Sequence, residues 1–209
     1  MKFSHNISRV EAFSDAVFAF AATLMVVSID LNENFILMKS RAFSLLTFGV
    51  SFFVLVALWM VHYNYFRRVG YIDNWVIALN SMLLFMVLYY VFPLKSLINT
   101  WIGEDKITLQ NLSELFQMYS VGFLLIFLCF ALMYRRAYKK MKSHEKCITA
   151  LFYSRHFGIY VIVGAISVAI SIFKLGVSFG LPGMIYFLLG PFCYLHSKWF
   201  DKKFRNNTL

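Results

Sequence analysis

The stretch VEAFSDAVFAFAATLMVVSIDL, residues 10–31, decides the fold. A helix that crosses a bilayer needs about 20 mostly apolar residues, and this run is long enough. Its first half nevertheless carries Glu11 and Asp15. A secretory leader is the competing reading, with Ala19-Phe20-Ala21 as its cleavage site. The two acids interrupt the apolar region such a leader needs, and apolar residues continue past the cut. Ser8, followed three residues later by Glu11, fits a capping box that would start a helix there.

The rest of the chain repeats the apolar signal. Hydrophobic residues make up 60% of 209 positions, aromatics 19% and charged residues only 14%, against roughly 45–50% apolar and about 25% charged in a soluble domain. Reading apolar runs against polar breaks predicts spans at 10–31, 42–66, 75–97, 112–134, 157–173 and 181–200. The expectation is a single six-helix transmembrane domain over 1–209, all-α, with hairpin neighbours and its longest connection at 135–156. Pro191 should kink the last span, whereas Pro93 and Pro182 lie near span ends.

The formal charge of +10 could suggest a nucleic-acid partner, but its distribution reports topology instead. With the N-terminus inside, only Lys39, Arg41, Lys95, Lys106 and Lys174 of the 20 lysines and arginines fall on the outer side. Both termini are therefore expected in the cytoplasm, which requires an even number of spans. Cys129 and Cys193 lie in apolar runs and Cys147 in the basic connection, so no disulfide framework is indicated. His144 and Cys147 are three apart, a weak metal signal better read as a solvated basic loop, and no metal or cofactor is expected. Trp59, Trp75, Trp101 and Trp199 fall near predicted span ends, as an interfacial belt would place them.

An ionisable group at membrane depth needs a partner or water. Asp15 lies roughly 10 Å along the first helix from Ser8 at about 1.5 Å per residue. It shares a face with Glu11, whereas Phe13, Phe20, Leu24 and Val27 group on nearly the opposite one. Partners expected for the acidic side are His62, Asn80, Arg9 and Ser14. One carboxylate and one histidine, with no nucleophile, metal set or phosphate loop, make no reaction class, so no enzyme is expected.

Arg9, Phe13, Ser14 and Asp15 reproduce the R-x-x-x-F-S-D pattern of the transmembrane protein 175 family of endolysosomal and prokaryotic potassium channels. The match continues through Val17, Phe18, Ala19, Ala22, Thr23 and Leu24. Trp59, His62 and Phe66 resemble the family's W-x-x-H pattern, and Asn80, Leu83, Leu84 and Pro93 resemble its third helix. In the second half only hydropathy and charge agree.

The resemblance implies a homotetramer in a prokaryotic plasma membrane, conducting potassium over sodium through a central pore lined by the first helix. It places Phe20, Leu24 and Val27 at apolar constrictions and Thr23 beside them, with a larger side chain at Phe20 than the usual Ile or Leu. Arg9, Phe13, Ser14, Asp15, His62 and Asn80 would form the polar network that holds this helix. Asp30 and Glu33 could concentrate cations at the outer mouth or be solvated loop charges. The alternatives are a proton-conducting pore and a non-conducting structural or binding subunit in contact with lipid.

Overall fold

The computed structural model describes residues 6–27, 38–102, 107–141 and 144–205. Asp30 and Glu33 lie outside the described residues. Five long helices follow one another: α1 (Ile7–Val27), α2 (Met38–Arg68), α3 (Asn74–Ile102), α4 (Leu109–Lys140) and α5 (His144–Ile172). All five are long and apolar enough to cross a membrane, and no strand occurs among the described residues. This is an all-helical, multi-pass membrane protein, because only closed hydrogen bonding within each segment lets backbone cross lipid.

Three boundaries differ from the expectation. The first helix is capped by Asn6, not Ser8: the Asn6 Oδ1 accepts from the Ser8 amide at 3.0 Å and from its hydroxyl at 2.7 Å. Both Ser8 donors are thereby spent on the residue two positions earlier, and the helix starts at Ile7. The basic stretch 135–156 is largely helical, with α4 running to Lys140 and α5 starting at His144. Cys147 is accordingly on a helix. Hydropathy marks where a helix leaves apolar surroundings, not where it ends, and lysines in the last turn of α4 favour continuation.

The third difference is the predicted span 181–200, which is not one α-helix. It runs through α6 (Leu181–Met184), a tighter 3₁₀ turn at Ile185–Leu188, and α7 (Leu189–Phe200). Pro191 has no N–H to give the Phe187 carbonyl four residues earlier, and the regular ladder lapses at that point.

The α4–α5 hairpin is the long scaffold. Ser120 Oγ and Ser167 Oγ lie 2.7 Å apart, and the Ser113 hydroxyl donates to the Ser171 carbonyl at 2.7 Å, all buried. Ser167 also donates to the Pro182 carbonyl at 2.8 Å, tying the broken segment to the hairpin. Small side chains let the helices approach closely. At Gly122 a Cβ would meet the Tyr90 ring at 2.8 Å, so only glycine admits α3 there.

At the opposite end of α3, Asp73 fastens three elements. Its Oδ1 caps α3 by accepting from the Val76 amide at 2.9 Å, and its Oδ2 accepts from Arg136 Nε at 2.8 Å and Tyr71 Oη at 3.1 Å. Tyr65 Oη donates to the Tyr71 carbonyl at 2.9 Å, closing the turn that Gly70 makes possible with φ of 61°. Burial alone would raise the Asp73 carboxyl, but the Val76 amide, Arg136 and Tyr71 outweigh it and hold it below the usual carboxylate value. A lowered folded-state pKa contributes stability above the unfolded carboxylate pKa of about 3.9, and this is lost as pH falls through the folded value. The melting temperature in detergent is expected to drop on acidification below about pH 4. Asp73→Asn should melt lower at neutral pH and lose part of that acid dependence; an unchanged profile would remove Asp73 from the account.

Candidate functional site

The buried residues of α1 are Ser14, Phe18, Ala21 and Met25. Their spacing of four, three and four puts them on one stripe, which packs on α2 and α3. Polar groups along this contact form a one-way chain of donors. His62 Nε2 lies 2.8 Å from Asn80 Oδ1, which can only accept, so the imidazole proton sits on Nε2. Asn80 Nδ2 donates to Ser14 Oγ at 3.0 Å, and the Ser14 hydroxyl donates to the Val10 carbonyl at 2.8 Å. Ser14, His62 and Asn80 are each at most 2% exposed.

The His62 ring is packed among Phe18, Phe66 and Phe130, with centroids at 5.5, 5.1 and 6.5 Å. Rotation of the ring would break this packing and leave the Asn80 carbonyl without its donor. Three helices are therefore registered by side chains whose hydrogen-bonding capacity is directed inward.

Asp15 joins a different partner from those expected. Its Oδ1 accepts from Trp59 Nε1 at 2.7 Å, at the edge of a groove of about 350 Å³ between α1 and α2 that Phe18, Ala22 and Leu55 also line. Trp59 stacks on Tyr63 at 5.6 Å, and the Arg67 Nη1 donates to the Tyr63 hydroxyl. Positions 59, 63 and 67 follow one face of α2 at steps of four, so a polar line runs from Asp15 to the end of that helix. Trp59 thus ties α2 to α1 through its indole N–H. Arg9 and Phe13 are exposed and stand apart from both hydrogen-bonded groups.

The other side of α1 is open. Phe13 is 63% exposed, Phe20 56% and Val27 75%. Seven-residue steps put these three on one stripe, with half-buried Leu24 beside them. Thr23 is exposed, and its hydroxyl donates to the Ala19 carbonyl at 3.0 Å. Its oxygen lone pairs are left pointing away from the backbone, able to accept from water or meet a cation.

The sequence reading missed the Trp59 contact, although Trp59 stands one turn before His62 on the same helix, about 4.5 Å along its axis. It also missed the Ser113, Ser120, Ser167 and Ser171 group. Two serines seven apart and two four apart, with Ser120, Ser167 and Ser171 within apolar runs, were the available signal.

Fold and site together define an integral membrane protein whose first helix is clamped on one face and open on the other. The model of the family described as endosomal/lysosomal potassium channel TMEM175 matches residues 9–93, the segment holding Ser14, Asp15, Trp59, His62 and Asn80. A protein named potassium channel from Marivirga tractuosa is 38% identical over 151 residues, 65% of this chain; the chain spans 61% of that relative's length. The crystal structure of a variant of the potassium channel MtTMEM175, in complex with a nanobody–MBP fusion, is similar at a TM-score of 0.74 with 30% identity. The match covers 97% of this chain and 95% of that one. That of a lysosomal potassium-selective channel TMEM175 homolog from Chamaesiphon minutus is similar at 0.59 with 27% identity, over 88% and 97%. The chain belongs to the TMEM175 family.

Removing Asn80 orphans the buried His62 donor, and an unmade buried hydrogen bond costs about 1–3 kcal/mol. Asn80→Leu should therefore lower the melting temperature in detergent clearly more than Trp59→Phe, whose partner Asp15 is exposed. The reverse order would place the main clamp at Asp15.

Proposed function

We propose that the chain is a potassium-permeable channel, passing potassium over sodium down its gradient with no chemical turnover. The observation that carries this is the two-sidedness of α1: Ser14 and its partners hold one face, and the Phe20–Val27 stripe is left without cover from its own chain. Relatives named potassium channels support the ion.

One helix cannot enclose a conduit, so several copies must meet around an axis, and cyclic closure is the natural arrangement. In this account the protein is a homotetramer in a prokaryotic plasma membrane, with α1 lining the pore. The segment from Leu181 to Phe200 serves as a sixth crossing despite its break, which brings both termini to the cytoplasmic side in accord with the charge bias. The whole chain, 1–209, acts as one channel domain.

Phe20, Leu24 and Val27 form the apolar constrictions. A narrow apolar ring resists wetting and can close a pore without a moving plug. Thr23 lies beside them with its hydroxyl proton spent on Ala19, so its oxygen can replace part of the hydration shell of a passing cation. Ser14, His62 and Asn80, with Asp15 on Trp59, keep α1 from rotating those rings out of register. Arg9 and Phe13, exposed at the start of the helix, stand outside this clamp.

The test is flux into proteoliposomes of purified protein, with potassium, sodium and proton gradients run in parallel. Potassium flux should exceed sodium flux, and Leu24→Ala should raise it severalfold by widening the constriction. Proton flux alone would identify a proton pore, and no flux from a folded oligomer would identify a non-conducting subunit.

A further inference from the structure

One apolar cavity has no part in the arrangement above. It holds about 570 Å³ between α2, α3, α4 and the broken segment, within the roughly 300–1,000 Å³ of small-molecule sites. On α2 it is lined by Leu46, Val50 and Val54, at steps of four along one face. That stripe is about 12 Å long at 1.5 Å per residue. On the antiparallel α3 it is lined from Leu94 to Trp101, about 10 Å in the opposite chain direction. The cavity is thus a furrow lying along the helix axes.

Its two ends differ. Trp101, 67% exposed, stands near the end of α3, where an indole would sit at the headgroup level. From there the furrow runs toward the middle of the bundle over the buried Phe116. Leu46, Val50 and Phe187 are 54%, 43% and 76% exposed, so the furrow opens sideways and not into water at a helix end. Gly183 keeps one wall bare: a Cβ there would approach the Phe116 ring at 3.3 Å.

From this shape we infer that the furrow is a binding site for one acyl chain of a membrane lipid, with the lipid's headgroup at the level of Trp101. A compact apolar ligand would suit a rounded pocket. A furrow parallel to the bilayer normal, open to the hydrocarbon and aromatic at its interfacial end, matches an extended chain. The walls surround that chain on three sides and give it more dispersion contacts than neighbouring lipids do. The site depends on membrane embedding alone and is independent of conduction.

Native mass spectrometry of the full chain in mild detergent reads retained phospholipid and oligomeric mass together. The parent should keep about one phospholipid per subunit. Val50→Trp, which fills the furrow, should keep severalfold less with the same oligomeric mass and melting temperature, whereas Phe53→Ala, on an exposed face of α2 outside the furrow, should retain it. If Val50→Trp does not fold, Val54→Phe fills the deeper end and is read in the same way. No lipid on the parent, or equal retention in the filled variant, overturns the assignment. A filled variant that changes the oligomeric mass also overturns it, by showing that a second copy occupies this face.

Discussion

A polar side chain at bilayer depth has no water to turn to, so its hydrogen bonds must be met within the protein. His62, Asn80 and Ser14 meet this requirement as a chain of donors that ends on a backbone carbonyl of α1. Each group has one orientation that satisfies its neighbours. The position and rotation of α1 follow from that constraint, and so does the direction in which Phe20 and Val27 face. The chain is worth more as a register than as a source of stability, because each member reads the rotation of a different helix.

The two halves of the molecule meet the same requirement in different ways. In α1 to α3 the chain pairs a histidine and an asparagine with the Ser14 hydroxyl, and it sets orientation. In α4 and α5 they are serine hydroxyls, small enough to let two long helices approach and to catch the Pro182 carbonyl of the broken segment. Asp73 and Arg136 join the halves at the end where α2 turns into α3.

Most of the helices were legible in the sequence, because about 20 apolar residues in succession have few other uses. Their ends were not, since basic residues such as Arg135 and Lys140 mark the edge of apolar surroundings while the helix continues past them. The break near Ile185 was anticipated only as a kink at Pro191, because proline's effect falls on the turn before it. Ser14, His62 and Asn80 could be named in advance because polar residues within apolar runs stand out. Their exact pairing could not: Asp15 was expected to meet His62 or Asn80, and it meets Trp59 instead. Which side of α1 would stay uncovered followed from periodicity only once the opposite side was known to be clamped.

The central claim is that the open stripe of α1 lines the ion path. The most direct measurement is potassium flux through a Phe20→Cys variant in which Cys129, Cys147 and Cys193 have been replaced, before and after treatment with a water-soluble thiol reagent. The account predicts that labelling occurs and sharply reduces flux. Complete labelling with unchanged flux would put Phe20 outside the path and contradict it.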